Sequence, residues 1–162
     1  MKAAMLFLGI FFITSTVFSQ KKTAQENCII TNNKDLKVKK METTQKNVLG
    51  TDLQLASKNP LTGFYRTGFC STDEKDRGVH VVAAVVTDEF LNYSLSRGND
   101  LISPYPASGF PGLKAGNIWC LCAMRWKEAL DAGVAPPVIL EATNIKALQY
   151  ITLEDLKNNQ VK

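Results

Sequence analysis

Residues 78–90 read Gly-Val-His-Val-Val-Ala-Ala-Val-Val-Thr-Asp-Glu-Phe, and this stretch decides the fold. Val79, Val81, Ala83 and Val85 alternate with His80, Val82, Ala84 and Val86. Both sets are apolar apart from the histidine. Alternation with two apolar faces predicts a strand covered on both sides. The strand runs straight into Thr87, a good helix N-cap, and Asp88 and Glu89 follow in the first turn, where carboxylates suit the helix dipole. The predicted helix ends near Ser96, with Gly98 at its C-terminal cap.

Beyond that unit, residues 99–117 carry Pro104, Pro106 and Pro111 with three glycines. So long an irregular connection is uncommon in a compact domain and is often functional. Residues 118–132 place Trp119, Cys122, Trp126, Ala129 and Leu130 on one helical face, and Gly133 closes the predicted helix. Pro136-Pro137 leads into a second predicted strand over 138–142. Thr143 is read as the cap of a short helix, and Thr152 to Asp155 as the start of a last helical turn. Two strands and three or four helices predict an α+β domain rather than a doubly wound sheet.

The chain begins with a different chemistry. Met1-Lys2 is a short positive start, residues 3–17 are almost wholly apolar, and Val17-Phe18-Ser19 offers a cut before Gln20. This is the three-part pattern of a secretory signal. The apolar run is shorter than the roughly 20 residues a membrane span needs. We therefore expect a signal peptide over 1–19, export to a periplasmic or secreted location, and no integral span after cleavage.

Residues 20–46 hold seven lysines against three acidic side chains and read as a polar, basic, disordered linker. The domain is expected over 47–162, where 11 basic and 12 acidic side chains nearly balance. The net charge of +4 therefore belongs to the linker. Nucleic acid is excluded as a partner, because the domain lacks a basic footprint of its own.

Four cysteines and a single histidine are the sharpest chemical feature. Cys70, His80, Cys120 and Cys122 form a ligand set of the kind that suits zinc. The Cys-x-Cys spacing disfavours it, since on a helix the two thiols point to nearly opposite sides. A disulfide from Cys70 to Cys120 or Cys122 fits an exported protein, and buried free thiols are the remaining alternative. Arg97, Asn99 and Asp100 open the long loop, and with Arg66, Trp119 and Arg125 they are the candidate binding residues. A frame-held polar loop is a common binding device. No Ser-His-Asp or Cys-His motif is present in the sequence.

Several ordered blocks carry a resemblance. They are Asn47-Val48-Leu49-Gly50, Pro60 to Arg66, Arg97 to Leu101, Phe110 to Lys114, Trp119 to Cys122, Arg125-Trp126, and Gly133 to Val138 with Leu140 to Thr143. Over about residues 47–157 the chain resembles the uncharacterised family called domain of unknown function 2237. The resemblance implies a two-layer α/β sandwich and brings no activity with it. The family pattern has a Cys-Cys pair where this chain has Phe69-Cys70, and it usually lacks an export signal.

Three functions remain open at this level. One is a small exported binding or accessory domain, taking a small molecule or peptide in a cleft between loop 97–117 and helix 119–132. The second is a thiol- or metal-dependent enzyme using Cys70, His80, Cys120 and Cys122. The third is a structural domain tethered to the envelope by its basic linker. The sequence does not choose an oligomeric state.

Overall fold

The computed structural model describes residues 45–162. The signal and nearly all of the linker lie outside the described residues. Two strands and three helices make an α+β domain: β1 (His80–Val85), α1 (Asp88–Ser96), β2 (Ile118–Cys122), α2 (Ala123–Asp131) and α3 (Leu153–Asn158). Short 3₁₀ turns sit at Pro106–Ser108, Leu140–Ala142 and Ile145–Gln149.

β1 pairs antiparallel with β2, from Val85 opposite Ile118 to His80 opposite Cys122. Its other edge is also covered. Val85 N donates to Pro137 O, Ile139 N to Ala83 O, and Asn144 N to Val81 O. The strand is therefore central, as its two apolar faces require. The alternation does not survive intact, because the register slips between His80 and Val82. Val81, Val82, Ala84 and Val86 all join the main core with Phe90, Trp126 and Leu156. Ala83 packs instead with Cys70, Cys120 and Ala142.

Helix α1 starts as its sequence demands. Thr87 Oγ1 accepts from Phe90 N at 3.1 Å, and Asp88 and Glu89 occupy the first turn. Phe90, Leu91 and Ser94 face inward. Gly98 follows with φ +74°, a left-handed turn that a side chain would strain.

Residues 118–122 form a strand, where the sequence reading expects the first turns of a helix. Ile-Trp-Cys-Leu-Cys is short and rich in strand-favouring side chains, and the exposed edge of β1 supplies its hydrogen bonds. Pairing overrides the helical spacing, as tertiary context commonly does. The helix begins only at Ala123. From there Trp126 and Ala129 are buried as expected, and Trp126 Nε1 donates to Pro136 O at 3.0 Å.

The second predicted strand is corrected as well. Only Val138 bridges, to Ala84 and to Gln160, and residues 140–142 turn into 3₁₀ structure. Thr143 does not cap a helix. Its hydroxyl accepts from Ala83 N and donates to Ile139 O, fixing this segment along β1. Asn144 is the cap, accepting from Lys146 N at 3.0 Å. Thr152 caps α3 through Asp155 N.

The folded chain reaches two residues into the segment read as linker. Gln45 exchanges hydrogen bonds with the backbone of Thr72, and Lys46 pairs with Asp52. Buried Asn47 donates to Thr51, Asp52 and Glu141. Among the described residues, no helix is long and apolar enough to cross a membrane.

Candidate functional site

The register slip at the start of β1 gathers the chemistry. Asp76 ends the loop before the strand, and its carboxylate is fully buried. Its Oδ2 accepts from Thr72 Oγ1 at 3.0 Å and from His80 N at 2.7 Å. Its Oδ1 lies 2.6 Å from His80 Nδ1. An ionised carboxylate only accepts, so Nδ1 carries a proton and Nε2 is left for another partner.

Cys122 stands opposite His80 across the two strands. Hydrogen bonding to Cys122 is the largest influence on the His80 ring, and with Asp76 it pushes the pKa of His80 up to about 9 against the opposing effect of burial. The imidazole thus keeps its proton through neutral pH. The Cys122 thiol is free and half-buried, and the residue is the N-cap of α2 without using its side chain as a cap. First-turn amides of a helix have no acceptor within the helix, so the start of α2, directly after Cys122, carries partial positive charge.

Backbone geometry enforces this meeting. A methyl group added at Gly78 would fall 2.5 Å from His80 Cε1 and 3.2 Å from Cys122 Sγ, so only glycine leaves room. Val79 takes φ +49°, a left-handed conformation that costs a β-branched residue energy. Such strain is held only where the surroundings over-determine it. Here Asp76 O accepts from Val79 N, and Val79 O accepts from Ala123 N.

The other two cysteines of the domain are bonded to each other. Cys70 and Cys120 form a buried disulfide between residues 50 apart in sequence. Cys70, His80, Cys120 and Cys122 therefore do not form one ligand set, which corrects the zinc grouping: two of its sulfurs are spent on each other. Among the described residues, no three His, Cys, Asp or Glu side chains are placed to hold a metal ion.

Two cavities flank the histidine–thiol pair. The larger, about 590 Å³, is lined by Arg66, His80, Asp100 and Trp119, with Phe64 and Phe110 as further aromatic walls. The second, about 490 Å³, is lined by Cys122 together with Arg77, Arg125 and Tyr150. His80 faces the first cavity and Cys122 the second, so the pair stands between them.

Helix α2 lines the second cavity but does not wall the first. There the turn at 63–66 takes the place that the sequence reading gives to the helix. Tyr65 in that turn donates to Asp73 at 2.6 Å, which raises the phenol to about 12 and lowers the carboxyl.

The candidate binding residues divide accordingly. Arg66, Asp100 and Trp119 share the first cavity with His80. Arg97 and Arg125 converge instead on Glu128, at 2.7 and 2.9 Å, and Arg97 holds its carboxyl below the usual range. Asn99 donates to Ser94 and helps close α1. Asp100 accepts from Ser103, through backbone and side chain, and from the Ile102 backbone, which lowers its pKa. Sequence reading missed Asp76 and the aromatic walls Phe64 and Phe110. The spacing Asp76-Arg-Gly-Val-His80 was the available signal, because a glycine within a tight Asp–His loop permits close approach.

A family model covers residues 46–160, nearly all of the described chain, and its family is described as uncharacterized protein conserved in bacteria. The chain belongs to the DUF2237 family. No curated protein matches this DUF2237 chain. Asp76, His80, Cys122 and the Cys70–Cys120 disulfide all fall within the matched residues.

Proposed function

We propose that this DUF2237 domain is a thiol-dependent enzyme of acyl-transfer type, with Cys122 as nucleophile, His80 as proton donor and acceptor, and Asp76 as the residue that orients His80. The observation that carries the reading is the buried Asp76 carboxylate, 2.6 Å from Nδ1 of His80, which stands opposite the free Cys122 thiol across the two strands. A carboxylate that fixes one ring nitrogen aims the other at the nucleophile, which is how such triads work on unrelated folds.

The chemistry follows from the positions. The Cys122 sulfur, as thiolate, attacks a carbonyl carbon, and the electron pair moves to the carbonyl oxygen. The developing charge needs donors, and the first-turn amides of α2, the helix that directly follows Cys122, are the proposed ones. Collapse expels the leaving group, which takes the proton from His80 and leaves a thioester on Cys122. Water then attacks the thioester, giving its proton to the now neutral His80, and the thiolate departs.

Selective alkylation tests the reading. With Cys28, the fourth cysteine and part of the 20–46 segment, replaced (Cys28→Ser), iodoacetamide should modify Cys122 and leave Cys70 and Cys120 bonded, read by mass spectrometry. His80→Ala should slow the reaction about ten-fold or more, the scale of effect a positioned acid–base partner supplies. Modification at the rate of an ordinary cysteine peptide, unchanged in His80→Ala, would remove the proposal.

The export signal belongs to this proposal too. A disulfide persists in oxidising compartments, so the Cys70–Cys120 bond supports a periplasmic or secreted enzyme. The free Cys122 is then the one thiol of the domain kept for chemistry.

A further inference from the structure

We infer that the larger cavity is a binding site for a small planar molecule bearing a carboxylate, with Arg66 holding the carboxylate and the aromatic walls holding the plane. The argument is independent of the thiol chemistry, since of Asp76, His80 and Cys122 it is His80 alone that lines this cavity.

Arg66 is a cation without a carboxylate. Among the described residues, no acidic group lies within 4.0 Å of it, whereas Arg97 and Arg125 are both paired. It is nevertheless fixed. Its Nη1 donates to Gly63 O at 2.8 Å, its guanidinium carbon lies 4.9 Å from the centre of the Trp119 ring, and its backbone takes φ +52°. A side chain pinned on three counts, with a guanidinium edge left over, has lost little freedom still to lose on binding. Guanidinium recognises carboxylate through paired, charge-assisted hydrogen bonds.

The rest of the wall selects a flat body. Phe64 stacks on His80 with centroids 5.8 Å apart and planes 21° apart. Phe110 meets Trp119 edge-on at 5.4 Å. The volume of about 590 Å³ lies within the range of small-molecule sites, which are mostly apolar with a few placed polar groups. His80 is already paired with Asp76, so Arg66 is the cation of this lining left for a ligand's single negative charge.

Asp100 does not cancel Arg66. One of its carboxylate oxygens already accepts two backbone amides, from Ile102 and Ser103. The Ser103 side chain bonds to the same carboxylate, so Asp100 is held within its own turn.

Calorimetric titration of the full chain with benzoate, benzamide and acetate tests the inference. Benzoate should bind about ten-fold or more tightly than either of the others, because losing a charge-assisted bond or an aromatic contact costs about that factor. Arg66→Gln should remove the preference for benzoate over benzamide, and Arg66→Lys should keep part of it. Equal binding of benzoate and benzamide, equal binding of benzoate and acetate, or no benzoate binding at 10 mM-scale ligand, about the weakest the method reads, would overturn it. Running the series in Cys122→Ser separates this result from the enzyme proposal, which stands or falls on alkylation.

Discussion

Two carboxylates in this molecule each hold a pair of polar partners, and they do opposite things. Asp76 is fully buried and binds Thr72 and His80 at the start of β1. Glu128 keeps 28% of its side chain exposed and binds Arg97 and Arg125 on the outer face of α2. Both sets of distances are short. The difference lies in the medium. At Asp76 little water competes, so each lost bond leaves an unpaired group in the interior. At Glu128 solvent screens the charges and replaces any bond that is lost. Short distances alone therefore do not mark a functional cluster, whereas burial with a reactive neighbour does.

The comparison breaks most readily at the Cys70–Cys120 disulfide. Cys120 lies two residues before Cys122 on β2, and its bond to Cys70 closes a 50-residue separation. On loop-closure grounds, reduction should lower stability by up to about 4 kcal/mol, read by urea unfolding with and without reductant. An unchanged midpoint would mean that strand pairing alone holds this end of the sheet.

Next comes Asp76→Ala, which strands the Thr72 hydroxyl and the His80 amide. Stability should fall by about 3 kcal/mol. Asp76→Asn should cost less while still slowing Cys122 alkylation, because the amide keeps the shape and loses the charge that orients His80. Alkylation as fast as in the parent protein would demote Asp76 to a structural role.

The pH dependence is a smaller effect with a definite sign. His80 binds its proton more tightly folded, near 9, than unfolded, near 6.5. Its contribution to stability is therefore complete below about pH 6.5 and fades as pH rises through about 9. Turnover that needs the His80 proton should fall over the same upper limb. In His80→Gln both limbs should vanish, and a surviving fall near pH 9 would point to another group.

The exposed cluster should give the smallest response. Glu128→Gln should leave the melting temperature within about a degree or two, because screened surface pairs contribute little. A large drop would mean that the exposed cluster holds the fold as firmly as the buried one.

Local chemistry carried much of the fold in advance. Thr87, Asp88 and Glu89 specify the start of α1 because a hydroxyl and two carboxylates satisfy that helix end from within four residues. Thr152 does the same for α3. Elsewhere the same kind of reasoning failed, because the deciding partner was distant. Trp119 to Cys122 fits a helical face as well as a strand, and the open edge of β1, some forty residues earlier, settled it. Thr143 looks like a cap until Ala83 claims its hydroxyl. The candidate site divided in the same way. Arg66, Asp100, Trp119 and His80 were each conspicuous, but nothing in their spacing tied them to one cavity. Asp76 was easily passed over, since an aspartate in a charged loop looks solvated and its spacing to His80 is the one signal it gives.

By itself, then, the sequence determined an α+β domain with a central apolar strand, the helix starts, and a short inventory of thiols, one histidine and a few arginines. Only the tertiary structure decided that Cys70 pairs with Cys120, leaving Cys122 to face His80. The physical reason is range. Caps and periodicities act over a few residues and are written in the local order of side chains. Disulfide choice and the buried carboxylate depend on which distant strands share a register, and a single slipped residue at the start of β1 sets that register.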